Sequence, residues 1–222
     1  MTTPAIFTYN NTKYQIHPVF EGEHIYRRII RSTTFYEIGL LQYIRSLKLK
    51  GIYIDVGANM GNHSIFFINE CECIKLHCFE PHPDTYNTLL YNIQLNNYKQ
   101  TDIELHNCAL GDNDCLVNLH INTKNSGDCK IISENGNIKC LRLDNCISDN
   151  GICLIKIDAQ GYELKILHGA AKLIEKNHPV LICETDTEKE FEEIDSYLHS
   201  LGYSTDKIKL AGSPTYMWKI KG

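Results

Sequence analysis

From residue 51 onward, short apolar runs alternate with longer segments whose apolar residues recur at helical spacing. The apolar runs predict strands at 51–56, 74–80, 102–110, 151–159 and 179–185. The longer segments predict helices at 61–70, 83–97, 162–177 and 188–201. Two last runs, 203–210 and 213–220, predict a hairpin. This alternation predicts an α/β fold, in which a mostly parallel sheet carries helices on both faces and an antiparallel strand at one edge.

The N-terminal segment, residues 1–50, falls outside this alternation. The runs "AIFTY" and "KYQIH" within the first 20 residues predict a small hairpin. A helix is predicted at 32–47, because its apolar residues recur at helical spacing behind a Ser/Thr start, with Glu37 in its first turns.

Residues 111–150 also interrupt the alternation. The runs "CLVNLHI" and "GNIKCLRL" predict an inserted hairpin around a polar connection, and a short helix follows near "DNCIS". We therefore expect a single domain, in which the hairpin and helix of residues 1–50 pack on a core formed by residues 51–222.

The composition is typical of a soluble globular protein. The chain has 222 residues, 43% of them hydrophobic and 22% charged, which is enough for one α/β domain with a full core. The formal net charge of −5 argues against duplex nucleic acid as a partner, because phosphate binding favours a basic face. No apolar run approaches the roughly 20 residues that span a bilayer, so no membrane span is expected. The N-terminus also lacks the pattern of a signal peptide.

The ten cysteines include no CxxC pair, which disfavours a zinc ribbon or a redox motif. Several lie in apolar runs, where cysteine behaves as a small hydrophobic residue. We therefore expect reduced thiols and a cytoplasmic location.

The candidate chemistry lies at the ends of the predicted strands. In an open α/β sheet, ligands bind beyond the carboxyl ends of the strands. Acids and other polar groups occupy these ends, which are 55–61, 80–82, 107–112, 158–162 and Glu184. A single acid at such a place is often only a helix cap, but several polar ends that converge on one edge indicate a binding site.

The first of these ends, "GANMG", indicates what kind of ligand is bound. Gly57 and Gly61 permit a tight turn, but Asn59 stands where a dinucleotide-binding turn needs a glycine beside the pyrophosphate. Glu80 follows Gly57 by 23 residues, near the spacing at which an acid meets ribose hydroxyls. These features favour a nucleoside-type cofactor without a diphosphate and disfavour a dehydrogenase.

Five ordered blocks between about residues 35 and 185 carry a resemblance to a known family. They are "IDVGANMGNHSIFF", "FEPHPDTYNTLLYNIQLNN", "NCALGD", "IKIDAQGYELKILHGA" and "PVLICE". The chain resembles the FkbM family of S-adenosylmethionine-dependent methyltransferases. The resemblance implies a Rossmann-like class I methyltransferase fold with a seven-stranded sheet in the order 3-2-1-4-5-7-6, its last strand antiparallel. Gln160 stands where the family commonly has a glutamate.

The resemblance also assigns residues to the S-adenosylmethionine pocket. They are Glu37, Asp55, Gly57, Asn59, Gly61, Glu80, Asn107, Ala109 and Asp112. Within this set, Asp55 would order the turn and meet the cationic amine directly or through water, and Glu80 would bind the ribose hydroxyls. Asn107, Ala109 and Asp112 would line the adenine slot.

The expected reaction is an in-line methyl transfer to a hydroxyl, for which the protein supplies position and a destination for the acceptor's proton. The candidate catalytic residues are Asp158, Lys156 and Glu184. The candidate acceptor residues are His63, His82, Tyr162 and Glu163. No dense acidic cluster is visible, so no metal site is predicted. The alternative is a divalent cation held by Asp158 and Glu184 with a histidine such as His82.

The resemblance implies that the acceptor is a carbohydrate or another small molecule. We expect O-methylation of a sugar hydroxyl on a glycan, glycolipid or nucleotide sugar, with residues 111–150 and the N-terminal segment as the walls that select it. One alternative is RNA ribose 2′-O-methylation, for which the chain offers only the Lys156, Asp158 and Glu184 fragment of a typical active site. The other is a non-catalytic module that binds S-adenosylmethionine. The oligomeric state stays open.

Overall fold

The computed structural model of the chain describes residues 3–122, 126–205 and 214–221. The N-terminal elements are β1 (Ala5–Tyr9), β2 (Thr12–Ile16), α1 (His24–Ser32) and α2 (Ile38–Ser46). β1 and β2 form the predicted antiparallel hairpin. The predicted helix at 32–47 is wrong in extent, because Thr33 and Glu37 adopt positive φ angles of 51° and 54° that separate α1 from α2.

The first half of the central domain alternates strands and helices as the sequence predicts. Its elements are β3 (Lys50–Val56), α3 (Asn62–Glu70), β4 (Glu72–Phe79), α4 (Pro83–Asn96) and β5 (Asp102–His106). All residues of β3 except Lys50 are buried, as is typical of a central parallel strand covered on both faces.

The segment after β5 forms a second sheet rather than a single hairpin. Its elements are β6 (Ala109–Leu110), β7 (Cys115–Ile121), β8 (Cys129–Glu134), β9 (Ile138–Leu141) and the short helix α5 (Leu143–Cys146). The predicted strand at 102–110 is therefore wrong in its last residues. The chain leaves the central sheet where the Asn107 side chain donates to the carbonyl oxygens of Glu80 and Pro81. β8 lies in what the polar sequence predicted to be a connection.

The remaining elements complete the domain. They are β10 (Ile152–Ile157), α6 (Glu163–Gly169), α7 (Ala171–Asn177), β11 (Val180–Glu184), α8 (Glu188–Ser200), β12 (Tyr203–Thr205) and β13 (Thr215–Ile220). The helix predicted at 162–177 is interrupted at Gly169, as expected. A Cβ at this position would lie 1.9 Å from the carbonyl oxygen of Gly111. β12 and β13 form the predicted antiparallel pair, and part of the run predicted at 203–210 lies outside the described residues.

The central sheet has the strand order β12-β13-β11-β10-β3-β4-β5. Counted along the chain within this sheet, the order is 3-2-1-4-5-7-6, and the seventh strand, β13, runs antiparallel to both of its neighbours. The separate inserted sheet has the order β6-β9-β7-β8. One apolar core, which includes Phe7, Tyr14 and Phe35 of the N-terminal segment, packs on α2 and α3, and the other packs on α6 to α8.

All ten cysteines are free in the structure. Among the described residues, no helix combines the length and the apolar character that a membrane span needs. The compartment stays a prediction.

Candidate functional site

A cavity that is partly open to solvent lies at the carboxyl edge of β3, β4 and β10. Its polar wall consists of Tyr36, Glu37, Asn59, Asn62, His63, Glu80, Ser126, Lys156, Asp158 and Gln160. Its apolar wall includes Phe79, Cys108, Ala109, Leu110, Leu119, Ile131, Tyr162 and Ile166. The apolar lining with a few convergent polar groups is typical of a pocket for a small molecule.

The turn after β3 forms the floor of this cavity. Gly57 has a φ of 74°, and a Cβ there would lie 1.9 Å from the carbonyl oxygen of Asp158 at the end of β10. The backbone N–H groups of Gly57 and Ala58 both donate to the carbonyl oxygen of Phe79. Gly61 has a φ of 93° and packs against Leu89, below the cavity rather than on its wall. The two glycines therefore determine the shape of the turn. Gly57 also allows the ends of β3, β4 and β10 to approach one another closely.

Asn59 and Glu80 are coupled across the turn. The backbone N–H of Asn59 donates to Glu80 Oε2 at 3.0 Å, and that of His82 donates to Oε1 at 2.9 Å. Burial raises the pKa of Glu80, whereas these two N–H groups and Lys156 lower it. The effect of burial is the larger one, and the pKa is raised to about 7. The Asn59 side chain accepts a hydrogen bond from Ser126 Oγ at 3.0 Å. Its buried Nδ2 has no hydrogen-bond partner among the described residues.

These features fit a sulfonium-bearing nucleoside. The apolar wall beside Glu80 offers a slot for an aromatic base, formed by Phe79, Leu110 and Ile131. Each Glu80 oxygen accepts one backbone N–H and keeps a second lone pair for a ribose hydroxyl. The unpartnered Nδ2 of Asn59 is a donor for a carboxylate. Base, ribose and amino acid groups would each find a chemically matching partner.

Asp55 lies beneath the cavity. Its side chain is fully buried, accepts a hydrogen bond from Ser64 Oγ at 2.6 Å, and has Oδ1 3.3 Å from Lys156 Nζ. Asp55 does not line the cavity, so of the two expected routes to the cofactor amine the structure favours the one through water. Its ordering of the turn agrees with these contacts. Burial would lower the pKa of Lys156, but Asp55, Asp158 and Glu37 raise it above its ordinary value.

Asp158 lies on the cavity wall with 28% of its side chain exposed. Oδ2 is 3.6 Å from Lys156 Nζ, and Oδ1 accepts a hydrogen bond from Gln160 Nε2 at 3.1 Å. A side-chain hydrogen bond also links Asp158 to Glu184. Burial raises the pKa of Asp158, but Lys156 and the hydrogen bonds outweigh burial and hold it below its usual range. Asp158 is therefore ionised at neutral pH.

Glu37 and His63 face each other across the same cavity. His63 Nε2 lies 3.4 Å from Glu37 Oε2, and both side chains are 10% exposed. Burial raises the pKa of Glu37, but His63 and Lys156 outweigh it and lower the pKa overall. Glu37 occupies the turn between α1 and α2, at the N-cap of α2. The structure therefore brings Glu37 and His63 together, although Glu37 comes from the segment before the central sheet and His63 from α3.

Sequence reasoning missed three residues that shape the site. Asn62 exchanges hydrogen bonds with the backbone N–H and carbonyl of Tyr36, at 2.9 and 3.0 Å, and thereby fixes the turn that carries Glu37. Burial, Glu37 and Glu184 raise the pKa of Tyr36 to about 12, so its hydroxyl stays protonated at neutral pH. Ser126 joins the inserted sheet to the turn after β3. The sequence carries no local signal for these contacts.

Seven predicted site residues do not line the cavity, namely Asp55, Gly61, His82, Asn107, Asp112, Glu163 and Glu184. His82 caps α4, where its Nδ1 accepts from the backbone N–H of Thr85, so the metal alternative loses its histidine at this edge. Glu163 is buried, and its Oε1 accepts from the backbone N–H groups of Ala159 and Gly161, so it orders the turn after β10 instead of the acceptor entrance. Of the three residues predicted for the adenine slot, only Ala109 lines the cavity. Tyr162 also lies on the wall.

A family model described as the methyltransferase FkbM domain matches residues 55–205 of this chain. No curated protein matches the chain.

Several solved structures share the fold. The methyltransferase FkbM of Methylobacillus flagellatus KT is similar over 77% of this chain, with a TM-score of 0.57 and 20% identity, and this chain spans 43% of its length. The ribosomal protein L11 methylase of Lactobacillus delbrueckii subsp. bulgaricus gives a TM-score of 0.54 and 13% identity, over 82% of this chain and 77% of that protein. The precorrin 8w decarboxylase of Methanobacterium thermoautotrophicum gives a TM-score of 0.51 and 14% identity, over 81% and 88%.

Proposed function

The chain belongs to the FkbM methyltransferase family, and we propose that it transfers the methyl group of S-adenosylmethionine to a hydroxyl oxygen of a sugar. The observation that carries this proposal is the set of residues that line the cavity at the carboxyl edge of the sheet. Two groups of residues line it, Gly57, Asn59 and Glu80, which we call the turn side, and Glu37, His63 and Asp158, which we call the other side. A nucleoside cofactor and a polar acceptor would therefore meet in one place.

The residues of the turn side would hold the cofactor. Glu80 would accept from ribose hydroxyls, Asn59 would donate to a carboxylate, and the slot beside Phe79 would take the base. S-adenosylmethionine supplies an electrophilic methyl group on a sulfonium centre. Because this group brings its own reactivity, the residues around it act by position and by charge.

The residues of the other side would hold the acceptor. The ionised Asp158 would accept the hydrogen of the acceptor hydroxyl and take up the proton as the new C–O bond forms. Lys156 keeps Asp158 ionised, since its Nζ lies 3.6 Å from Asp158 Oδ2. The pair of His63 and Glu37 would hydrogen-bond a second polar group of the acceptor. A sugar, which carries several neighbouring hydroxyls, satisfies this set of acceptors and donors.

A second groove supports an acceptor that also carries a negative charge. It shares Tyr36 and Glu37 with the cavity, and Arg28 and Arg31 line it further out. Both arginines are exposed, so they are available to a ligand. Guanidinium groups bind phosphate oxygens in a bidentate manner. Among sugar acceptors, we therefore favour nucleotide sugars and phosphorylated glycolipids over neutral glycans.

Transfer of a labelled methyl group tests the proposal. The protein is incubated with methyl-tritiated S-adenosylmethionine and a panel of neutral glycans, phosphorylated glycolipids, nucleotide sugars, capped RNA and protein. We expect label in a carbohydrate, retained through mild base, which cleaves esters but not ethers. Label in RNA or protein alone would contradict the sugar acceptor. Calorimetry with S-adenosylhomocysteine separates a wrong acceptor from a failed cofactor site. If S-adenosylhomocysteine does not bind, the methyltransferase reaction itself is contradicted.

A further inference from the structure

A second group of polar side chains lies on the outer strands of the central sheet, away from the cavity. His77 belongs to β4, and Glu104 and His106 belong to the edge strand β5. His77 is the register partner of Glu104, and His106 is the partner of Phe79. His77 is 1% exposed, whereas the side chains of His106 and Glu104 are 23% and 48% exposed.

Three atoms of these residues converge on one point. His77 Nδ1 lies 3.3 Å from His106 Nε2 and 3.5 Å from Glu104 Oε2, and the last two atoms are 4.0 Å apart. Around a tetrahedral ion with bonds of about 2.1 Å, ligand atoms lie roughly 3.4 Å from one another. The three separations are therefore close to those of three ligands that share one ion.

The surroundings orient the two imidazoles for this role. Asp149 Oδ2 lies 3.3 Å from His77 Nε2, at ion-pair distance on the far side of the ring, while Nδ1 faces the cluster. A carboxylate behind a histidine in this way is a common feature of metal sites. The His106 ring stacks on Phe79 with a centroid distance of 4.3 Å and an angle of 9°, which fixes the direction of its Nε2.

Lys75 balances the negative charge of Glu104 and Asp149 without occupying the space between the three ligand atoms. Its Nζ lies 2.7 Å from Glu104 Oε1 and 3.0 Å from Asp149 Oδ1, which are the oxygens that face away from the histidines. Glu104 Oε2 and Asp149 Oδ2 are left for the cluster. In the absence of an ion, the two histidine nitrogens would share a single N–H between them.

We propose that His77, Glu104 and His106 bind a divalent transition-metal ion such as Zn²⁺, with the Asp149 carboxylate beside the other ring nitrogen of His77. The exposure of Glu104 and His106 leaves a fourth position to water. The bound ion joins β5 to β4, since its ligands come from both strands. The site lies beside the cofactor cavity, because Phe79 lines the cavity wall and the Glu80 N–H donates to the His106 carbonyl at 3.1 Å. Its role is structural, and the methyl transfer does not pass through it.

Metal binding by untagged protein tests this proposal. The protein is treated with a chelator, dialysed, and titrated with Zn²⁺ by calorimetry. We expect one ion per chain and a higher melting temperature with Zn²⁺. His106→Gln and Glu104→Gln should each weaken binding by about tenfold or more and remove the thermal shift. His120→Gln, which changes an exposed histidine outside the cluster, should bind Zn²⁺ as the wild type does.

Cobalt identifies the donor atoms. Co²⁺ in the proposed nitrogen and oxygen site should give visible absorption typical of a four-coordinate ion, without a sulfur-to-cobalt charge-transfer band. Such a band would place the ion on cysteines and overturn the proposal. So would the lack of a stoichiometric Zn²⁺ titration, or Zn²⁺ affinity unchanged in both His106→Gln and Glu104→Gln. Circular dichroism confirms that the variants are folded, since both replaced side chains are partly exposed.

Discussion

The two sides of the cavity are assembled from the chain in different ways. The proposed cofactor side is built from one turn, of which residues 57–60 line the cavity, and from Glu80 at the end of the neighbouring strand. The proposed acceptor side takes Glu37 from a turn before the sheet, His63 from α3 and Asp158 from the end of β10. The first side is local in sequence, and the second depends on contacts between distant segments.

The backbone shows the same contrast. In the turn on the cofactor side, positive φ angles fall on Gly57, Asn59 and Gly61. Glycine adopts them at little cost, and asparagine is one of the side chains that tolerate them best. On the acceptor side, Glu37 has a φ of 54°, a conformation that side chains with a Cβ disfavour. Hydrogen bonds from Asn62 hold that turn in place. The acceptor side is therefore more sensitive to its neighbours, and each of the following variants tests one part of this difference.

The largest expected effect is that of Asp158→Asn on turnover. The variant keeps the shape of the side chain but loses the charge that accepts the proton, so we expect kcat to fall by about 10²- to 10⁴-fold. The affinity for S-adenosylhomocysteine should change by less than about tenfold, because Asp158 acts chiefly in the transition state. Steady-state kinetics and calorimetry measure the two quantities.

Asp112→Asn is the matched control for this variant. The sequence placed Asp112 in the adenine slot, whereas the structure places it outside the cavity. Both kcat and cofactor affinity should stay within about twofold of the wild type. Equal losses of turnover and affinity in Asp158→Asn would show that Asp158 belongs to the cofactor side.

The difference between the two sides also explains which features the sequence predicts. A glycine turn followed by an acid at the next strand end imposes local requirements, and the alternating pattern predicts the strands and helices of the sheet. The strand order came from the resemblance to the FkbM family. Asn62 and Tyr36 are 26 residues apart, and Ser126 and Asn59 are 67 apart, so no local pattern marks their contacts. β8 was missed because half of its residues are exposed, which makes its sequence as polar as a connection.

Gly57→Ala tests the rigidity of the cofactor side. The added Cβ would lie 1.9 Å from the Asp158 carbonyl oxygen, so the ends of β3 and β10 must separate. We expect a loss of about 3 kcal/mol in the free energy of unfolding, measured by urea denaturation.

Gly151→Ala separates this clash from backbone strain. Gly151 also has a positive φ, 84°, but a Cβ there would have no atom within 4 Å. The Gly151→Ala variant should therefore lose only the cost of the left-handed conformation, about 1 kcal/mol in the free energy of unfolding. Equal losses in the two variants would mean that the close approach to Asp158 does not contribute.

Glu80→Gln tests the charge on the cofactor side. The pKa of Glu80 is about 7 in the folded protein, above its ordinary 4.5, because burial disfavours the charged form. Its contribution to stability is therefore full below pH 4.5 and is lost as the pH rises through about 7. Over this range the free energy of unfolding of the wild type should fall by up to about 3 kcal/mol, whereas that of the variant should not show this fall.

Urea denaturation at pH 5 and pH 8 measures this difference in stability. Calorimetry at pH 8 should also show a loss of about 10- to 100-fold in cofactor affinity, because the hydroxyl groups lose a charged acceptor. Glu175→Gln, an exposed position, should change neither quantity. The same pH dependence in Glu80→Gln and the wild type would assign the titration to another group.

Ser126→Ala has the smallest expected effect and tests whether the inserted sheet belongs to the cofactor side. Loss of the 3.0 Å hydrogen bond to Asn59 Oδ1 should weaken cofactor binding by about 2- to 10-fold, because Asn59 is then held less firmly. Ser133→Ala removes a similar bond between exposed side chains of β7 and β8 and should leave the affinity unchanged. If Ser126→Ala instead raises KM for the acceptor alone, the inserted sheet serves the acceptor side, and the distant contact at Asn59 would be the link between the two sides.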